Sequence, residues 1–277
     1  ALARPQTEDI STRTKTTKGI DIVMAIDVSS SMLAQDLKPN RLNALKAVAS
    51  DFIDDRKSDR IGLVVFAGDA YVQLPITTDY SAAKLFLSTI NTDIIPTQGT
   101  AIGKAIELSI NSFDVSNDQN KAIIIITDGE NHEDDAIQKA KDAEDMGIFV
   151  HTIGMGSAEG GPIPIKNRYG SITSYQKDNS DNTVITKLNE EMLKEIAASG
   201  GGSYIRANST QSSLNALFKE INKMEKKEIG SKVFTDYKDR FQWFLGIAIV
   251  LLLIESLLRN TKNKWSNKIN LFEENES

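Results

Sequence analysis

Cysteine is absent from this 277-residue chain, and histidine occurs only as His132 and His151. Without thiols there is no disulfide framework, and the redox compartment is left undecided. No Ser–His–Asp or Cys–His set can be assigned, which removes the usual nucleophilic hydrolases. A zinc site is not supported either. His151 falls within the strand pattern Gly147–Ile153 and reads as a packed polar residue. His132 follows a turn and is either a solvated loop residue or one that touches a partner. Excess positive charge is also missing. Lys and Arg number 32 against 38 Asp and Glu, a formal net charge of −6, which argues against general nucleic-acid binding. The length suits one domain of about 200 residues with appendages.

What is present is a run of oxygen-bearing side chains at the ends of apolar segments. Ile20–Ile26 is apolar apart from Asp21 and runs into Asp27-Val28-Ser29-Ser30-Ser31. A strand buried on both faces ends there, and alternation along an extended chain would point Asp27, Ser29 and Ser31 the same way. Small oxygen donors without His or Cys suit a hard cation, Mg²⁺ or Mn²⁺, with positions left open for an outside ligand. Asp128 ends the most hydrophobic strand pattern of the domain, Lys121–Thr127, and is followed by Gly129. Thr100 stands directly before a helical pattern that begins at Ala101, so it fits either an N-cap or a ligand. Asp128-Gly129 fits a plain turn as well. If the strands ending at Asp27 and Asp128 are neighbours at a switch point of a parallel sheet, all five side chains can reach one ion.

Strand and helix patterns alternate through the domain. Helices are predicted over Asn40–Phe52, Ser81–Ile90, Ala101–Phe113, Asp134–Met146, Glu190–Ala198 and Ser212–Lys226. Strands are predicted over Arg60–Ala67, Ala70–Leu74, Lys121–Thr127, Gly147–Ile153 and Ser203–Arg206. The tight Gly68-Asp69 turn makes Ala70–Leu74 an antiparallel edge neighbour of the strand before it. The alternation implies a doubly wound, mostly parallel α/β sheet with helices on both faces. Residues 157–187 break the rhythm with short extended pieces and turn residues, a β-hairpin-type insertion that is either a packing lid or a docking surface.

Asp27-x-Ser29-x-Ser31, Thr100 and Asp128-Gly129 together resemble the metal-ion-dependent adhesion site of the von Willebrand factor A (VWA) domain family. The resemblance spans residues 19–228. It implies that Ser29 and Ser31 bind Mg²⁺ directly, and that Thr100, Asp27 and Asp128 bind it directly or through water. A carboxylate from a bound partner would complete the shell. Loops around Gly68, Gly99 and Gly129, with His132, would form the rim that meets that partner. The Gly154-Met155-Gly156-Ser157, Gly160–Pro164 and Gly200–Tyr204 segments, with the opening Ala1–Gln6, further resemble the Bacteroides aerotolerance (Bat) proteins, of the BatB type. That likeness implies other Bat-family membrane proteins and a MoxR-type AAA+ ATPase as partners. It also implies a periplasmic VWA domain at the bacterial inner membrane. The chain opens on Ala rather than Met, so an amino-terminal transmembrane pair is expected to have been removed.

Residues 1–18 and 229–240 read as linkers and residues 259–277 as a polar tail. Between them, residues 241–258 form an apolar run of about 27 Å as a helix, near the ~30 Å hydrocarbon core, and are expected to span the bilayer. Phe241 and Trp243 suit one interface; Arg259, Lys262, Lys264 and Lys268 follow the other end. Glu255 is expected at the interface, paired with Arg259. Lysines and Arg240 precede the run as well, so charge alone does not orient it. The leading expectation is a membrane-anchored, metal-dependent interaction module rather than an enzyme. The alternatives are a Mg²⁺-dependent phosphotransferase or phosphatase with Asp27 as nucleophile, and a surface adhesin. The phosphotransferase needs a second acid two residues on, where Ser29 stands.

Overall fold

Asp21–Asp27 (β1) is extended because every one of its residues is buried, with Ile22, Met24 and Ile26 packed on one face and Val23 and Ala25 on the other. A strand covered on both sides needs apolar residues at successive positions, which rules out the alternation of a half-exposed strand. Arg60–Phe66 (β2) and Lys121–Thr127 (β4) follow the same rule. The computed structural model describes residues 6–9, 17–114, 119–130, 135–167, 171–207, 227–229, 236–239 and 241–258. It resolves into two units, Thr16–Gly230 and Ala1–Lys15 with Ser231–Ser277.

In the first unit, β1, β2, Ala70–Thr77 (β3), β4, Ile148–Gly154 (β5) and Gly201–Arg206 (β6) form one six-stranded sheet in the order β6-β5-β4-β1-β2-β3. All pairings are parallel except that of β3 on β2, which is the expected antiparallel edge. Strand order reverses where β1 lies between β4 and β2, so the two strands that carry Asp27 and Asp128 are direct neighbours, with Ile26 opposite Ile126.

Helix Arg41–Asp54 (α1) starts at Asn40, whose side chain accepts a hydrogen bond from Asn43 N at 2.8 Å. Its Leu42, Leu45, Ala49 and Phe52 turn one stripe into the sheet. Tyr80–Thr89 (α2) packs with it on that face, behind the Asp79 cap. Ile102–Ser112 (α3), Ala136–Asp145 (α4) and Glu190–Ser199 (α5) contribute to the second core on the opposite face, through Ile102, Ile106, Ala136, Ala140 and Ile196. Each fully buried aliphatic side chain in these layers contributes about 1.5–3 kcal/mol.

The insertion forms two small ladders. Gly161–Pro162 pairs antiparallel with Ile185–Thr186, and Pro164–Lys166 with Ile172–Tyr175. The expected helix at Ser212–Lys226 lies outside the described residues.

The two segments read as linkers prove partly paired. Thr17–Gly19 runs antiparallel to Lys227–Ile229 in the first unit. In the second, Gln6–Asp9 runs antiparallel to Asp236–Asp239. Ladders of three or four residues leave no periodicity to detect, and their partners lie some two hundred residues apart. The second unit also contains the helix Phe241–Leu258 (α6). Its described side chains, Leu245 to Glu255, are all exposed. Among the described residues no helix is long and apolar enough to cross a membrane. Arg259, the expected partner of Glu255, lies outside them.

Candidate metal centre

At the carboxyl ends of β1 and β4 the polypeptide leaves the sheet through two short turns. The backbone is still extended at Ser29 (φ −60°, ψ 160°) and then winds into a 3₁₀ turn, Ser30–Leu33, with Met32 N donating to Ser29 O at 3.1 Å. That turn, rather than strand alternation, brings Ser29 Oγ within 2.9 Å of Ser31 Oγ. The Asp27 carboxylate is tied down on both oxygens. Oδ1 accepts from Ser29 N at 2.8 Å, and Oδ2 accepts from the Thr127 hydroxyl at 2.5 Å. Asp128 Oδ1 accepts from Glu130 N at 3.2 Å, and its carboxylate also takes a hydrogen bond from Ser31.

Both aspartates are fully buried. Burial, then the charge of Asp128, pushes the Asp27 carboxyl up to about 7, against hydrogen bonds from Ser29 and Thr127. Burial likewise raises Asp128; the Ser31 hydrogen bond and the Arg41 charge oppose it, and the Glu130 charge adds to it. Two carboxylates removed from water raise each other's proton affinity unless a cation stands between them.

The third loop comes from the start of α3. Ala101 N donates to Ala67 O at 2.7 Å, Gly68 N to Thr97 O at 3.1 Å, and Ser30 N to Gln98 Oε1 at 3.1 Å. These bonds seat residues 95–101 against the ends of β1 and β2. Thr100 is buried in that seated loop. Ala101, not Thr100, occupies the N-cap position of α3, and no side chain caps it. The structure thus joins Asp27, Ser29, Ser31 and Asp128 by direct contacts and seats Thr100 at the same end of the sheet.

The expected rim needs correcting. Gly68 and Gly129 are buried, so neither offers surface to a partner. A Cβ on Gly129, whose φ is +78°, would lie 2.8 Å from Asn189 O and from Leu193 Cγ. The exposed residues of the third loop are Pro96, Thr97 and Gln98, beside the half-buried Gly99. His132 lies outside the described residues. His151 is buried on β5, where Nδ1 accepts from Ser203 N at 3.1 Å, the packed polar residue expected.

Sequence reasoning missed Arg41. Its guanidinium is fully buried and donates to Asp128 Oδ2 at 2.8 Å, to both Asp36 oxygens at 2.8 Å, and to Thr186 Oγ1 and O at 3.0 Å. One signal was available: a cation in the first turn of a helix opposes the helix dipole, so it wants a compensating partner.

The donor set fits a hard divalent ion. Two carboxylates and three hydroxyls are all oxygen, the chemistry Mg²⁺ and Mn²⁺ prefer. Arg41 serves Asp128, whereas among the described residues no basic side chain pairs with Asp27. A buried carboxylate without a cationic partner is where an ion compensates most. Among the described residues no group of three or more His, Cys, Asp and Glu could hold a metal; a site of two aspartates with hydroxyls is not of that kind.

The model of the von Willebrand factor type A domain matches residues 21–223. A solved structure of BatB from Bacteroides thetaiotaomicron, a conserved hypothetical protein, is 46% identical, with a TM-score of 0.71 over 74% of this chain and 98% of that one. An aerotolerance-related membrane protein from Bacteroides fragilis NCTC 9343, solved with multiple mutations to serines, is also 46% identical, with a TM-score of 0.70 over 74% and 100%. An uncharacterized protein of Borreliella burgdorferi is 32% identical over 239 residues, 85% of this chain and 67% of that protein. The chain belongs to the von Willebrand factor type A domain family. Within it, the two 46% identities put the domain among the Bat-type members.

Proposed function

We propose that this chain is a membrane-anchored, divalent-metal-dependent protein-interaction module that serves a Bat-type complex at the bacterial inner membrane. Asp27, Ser29, Ser31, Thr100 and Asp128 would hold Mg²⁺ or Mn²⁺, and the ion would supply an open, electrophilic coordination position for a partner's Asp or Glu. The observation that carries this reading is Asp27, fully buried and without a cationic partner among the described residues, beside a second buried carboxylate. Ser29 and Ser31 bring hydroxyls to the same point, and Thr127 fixes the orientation of Asp27. Two aspartates formally neutralise a dication; with one of them holding the ion only through water, the charge is partly unbalanced and an outside carboxylate is still attracted.

The module is read as a binder rather than an enzyme. Ser29 stands where a phosphotransferase would place its second acid. Anchoring rests on the apolar α6, whose Leu245, Leu251, Leu252 and Leu253 are more than half exposed, and on the relative described as a membrane protein. Other Bat-family proteins and a MoxR-type ATPase are the proposed partners, with the VWA domain on the periplasmic side.

Calorimetric titration with Mg²⁺ or Mn²⁺ tests the site. Binding should vanish in Asp27→Ala and Ser29→Ala chains that still fold by circular dichroism; unchanged binding in both would refute it. Capture of partners from membranes with and without chelator tests the function, and metal-independent capture counts against it.

A further inference from the structure

Arg41 uses all five of its N–H groups on three separate pieces of chain. Nε and Nη2 grip the two oxygens of Asp36; Nη2 also reaches Thr186 O; Nη1 reaches Asp128 Oδ2 and Thr186 Oγ1. Asp36 Oδ2 in turn accepts from Ser157 N at 2.8 Å. Thr186 is paired with Gly161 at the root of the insertion, and Ser157 stands at its start. The packing leaves no slack. A Cβ on Gly156, at φ +133°, would lie 2.9 Å from Arg41 Nε. A second tie runs from Lys187 N to Glu130 Oε1 at 3.2 Å, two residues beyond Asp128. A planar fork that binds two carboxylates and a threonine at once transmits a displacement of one to the others, which a flexible ammonium does not do.

We propose that Arg41 is a positioning residue that couples occupancy of the metal centre to the order of the insertion, through Asp128 on one side and Thr186 and Asp36 on the other. The proposal rests on the metal-centre reading of Asp128 given above. Asp27, Ser29, Ser31, Thr100 and Asp128 would hold the ion, whose charge would relieve the repulsion of the two buried carboxylates and fix Asp128. The guanidinium is then held on Asp128 and holds the root of the insertion with it. The insertion therefore stiffens when the centre fills, and the surface offered to a partner depends on the metal even where it does not touch it.

Hydrogen exchange on the full 277-residue chain in mild detergent, with and without Mg²⁺, tests this, alongside calorimetric Mg²⁺ binding. In the wild type, Mg²⁺ should slow exchange in residues 157–166 and 183–187 by about fivefold or more, the low end of ordinary site-to-site coupling. Arg41→Lys keeps the charge but loses the fork. Thr186 Oγ1 also donates to Asp128 Oδ2 at 3.4 Å, so the second variant is Asp36→Ala, which removes the arm to Ser157 and leaves the Arg41–Asp128 pair in place. Both should still bind Mg²⁺; Arg41→Lys should lose the slowing throughout and Asp36→Ala should lose it in residues 157–166. If Arg41→Lys does not fold, Asp36→Ala alone decides. Wild-type binding with unchanged or faster exchange, or full slowing of residues 157–166 in Asp36→Ala, overturns the coupling and leaves the metal centre standing. Absence of Mg²⁺ binding to the wild type overturns the metal centre and the coupling with it.

Discussion

Arg41 Nη1 donates to Asp128 Oδ2 at 2.8 Å, and neither side chain is exposed to solvent. The pair joins the first turn of α1 to the end of β4, 87 residues apart. Because Asp36 is bound to the same guanidinium, removing Arg41 leaves two carboxylates without their cation.

Arg41→Met is therefore expected to destabilise the domain by about 3–5 kcal/mol, the cost of breaking a buried pair by deleting one partner. Urea unfolding followed by circular dichroism measures it. A loss under about 1 kcal/mol would mean that the guanidinium contributes little, as exposed pairs do. The exposed Lys84–Asp54 pair serves as the control, and Lys84→Met should fall in that lower range.

Asp27 carries a pH prediction. Its folded carboxyl is raised from 3.8 to about 7, first by burial and then by Asp128, so the folded chain holds that proton more tightly than the unfolded chain. Such a group adds stability that is fully present below the unfolded value and is lost as pH rises through the folded one. Asp128 is shifted in the same direction. Chelator-treated protein should thus become less stable between about pH 4 and pH 7, and Asp27→Asn should flatten that decline. Mg²⁺ should restore stability at neutral pH and bind progressively worse below it, as protons compete for the same oxygens. Urea midpoints across the pH range decide the matter; stability that rises steadily from pH 4 to 7 without metal contradicts it.

Much of the scaffold was legible in the residues because physics leaves few options there. Ile22–Ile26 and Ala122–Ile126 are apolar at successive positions, as a strand covered on both faces requires, and both became central strands side by side. The Gly68-Asp69 turn announced the antiparallel edge. Loop geometry was less legible. Ser29 and Ser31 meet through a 3₁₀ turn that no periodicity encodes. Thr127 looked like one more strand residue, yet its hydroxyl orients Asp27. Arg41 and Thr186 lie 145 residues apart, a pairing set by tertiary packing alone. Glycines flanking the site read as surface, whereas close approach of neighbouring chain buries two of them.

Gly129 makes that last point testable. At φ +78° an L-residue is strained, and a Cβ would stand 2.8 Å from both Asn189 O and Leu193 Cγ at the cap and inner face of α5. Gly129→Ala should cost about 1–3 kcal/mol from overpacking and left-handed backbone together. Because Gly129 follows Asp128, metal affinity should fall as well. Thermal melts with and without Mg²⁺ separate the two effects, and a variant that melts with the wild type would show that the loop gives way freely.

The apolar α6 carries the last prediction. Described side chains from Leu245 to Ile254 are aliphatic or small and all exposed, and its 18 residues reach about 27 Å as a helix. Among the described residues it does not amount to a full span, but in water such a surface invites aggregation, and the proposed anchoring gives it apolar surroundings instead. The full chain should remain with the membrane pellet after alkaline extraction. Leu251→Arg, near the middle of the run, adds about 2.5–3.5 kcal/mol to insertion and should release a substantial part of the protein. A carboxy-terminal reporter should be active in the cytoplasm and silent outside it, since the proposed topology leaves the metal-binding domain in the periplasm. Full extraction of the unmodified chain would remove the anchor from the proposal, and a reporter active only outside the cytoplasm would reverse its orientation, yet neither result would disturb the chemistry around Asp27.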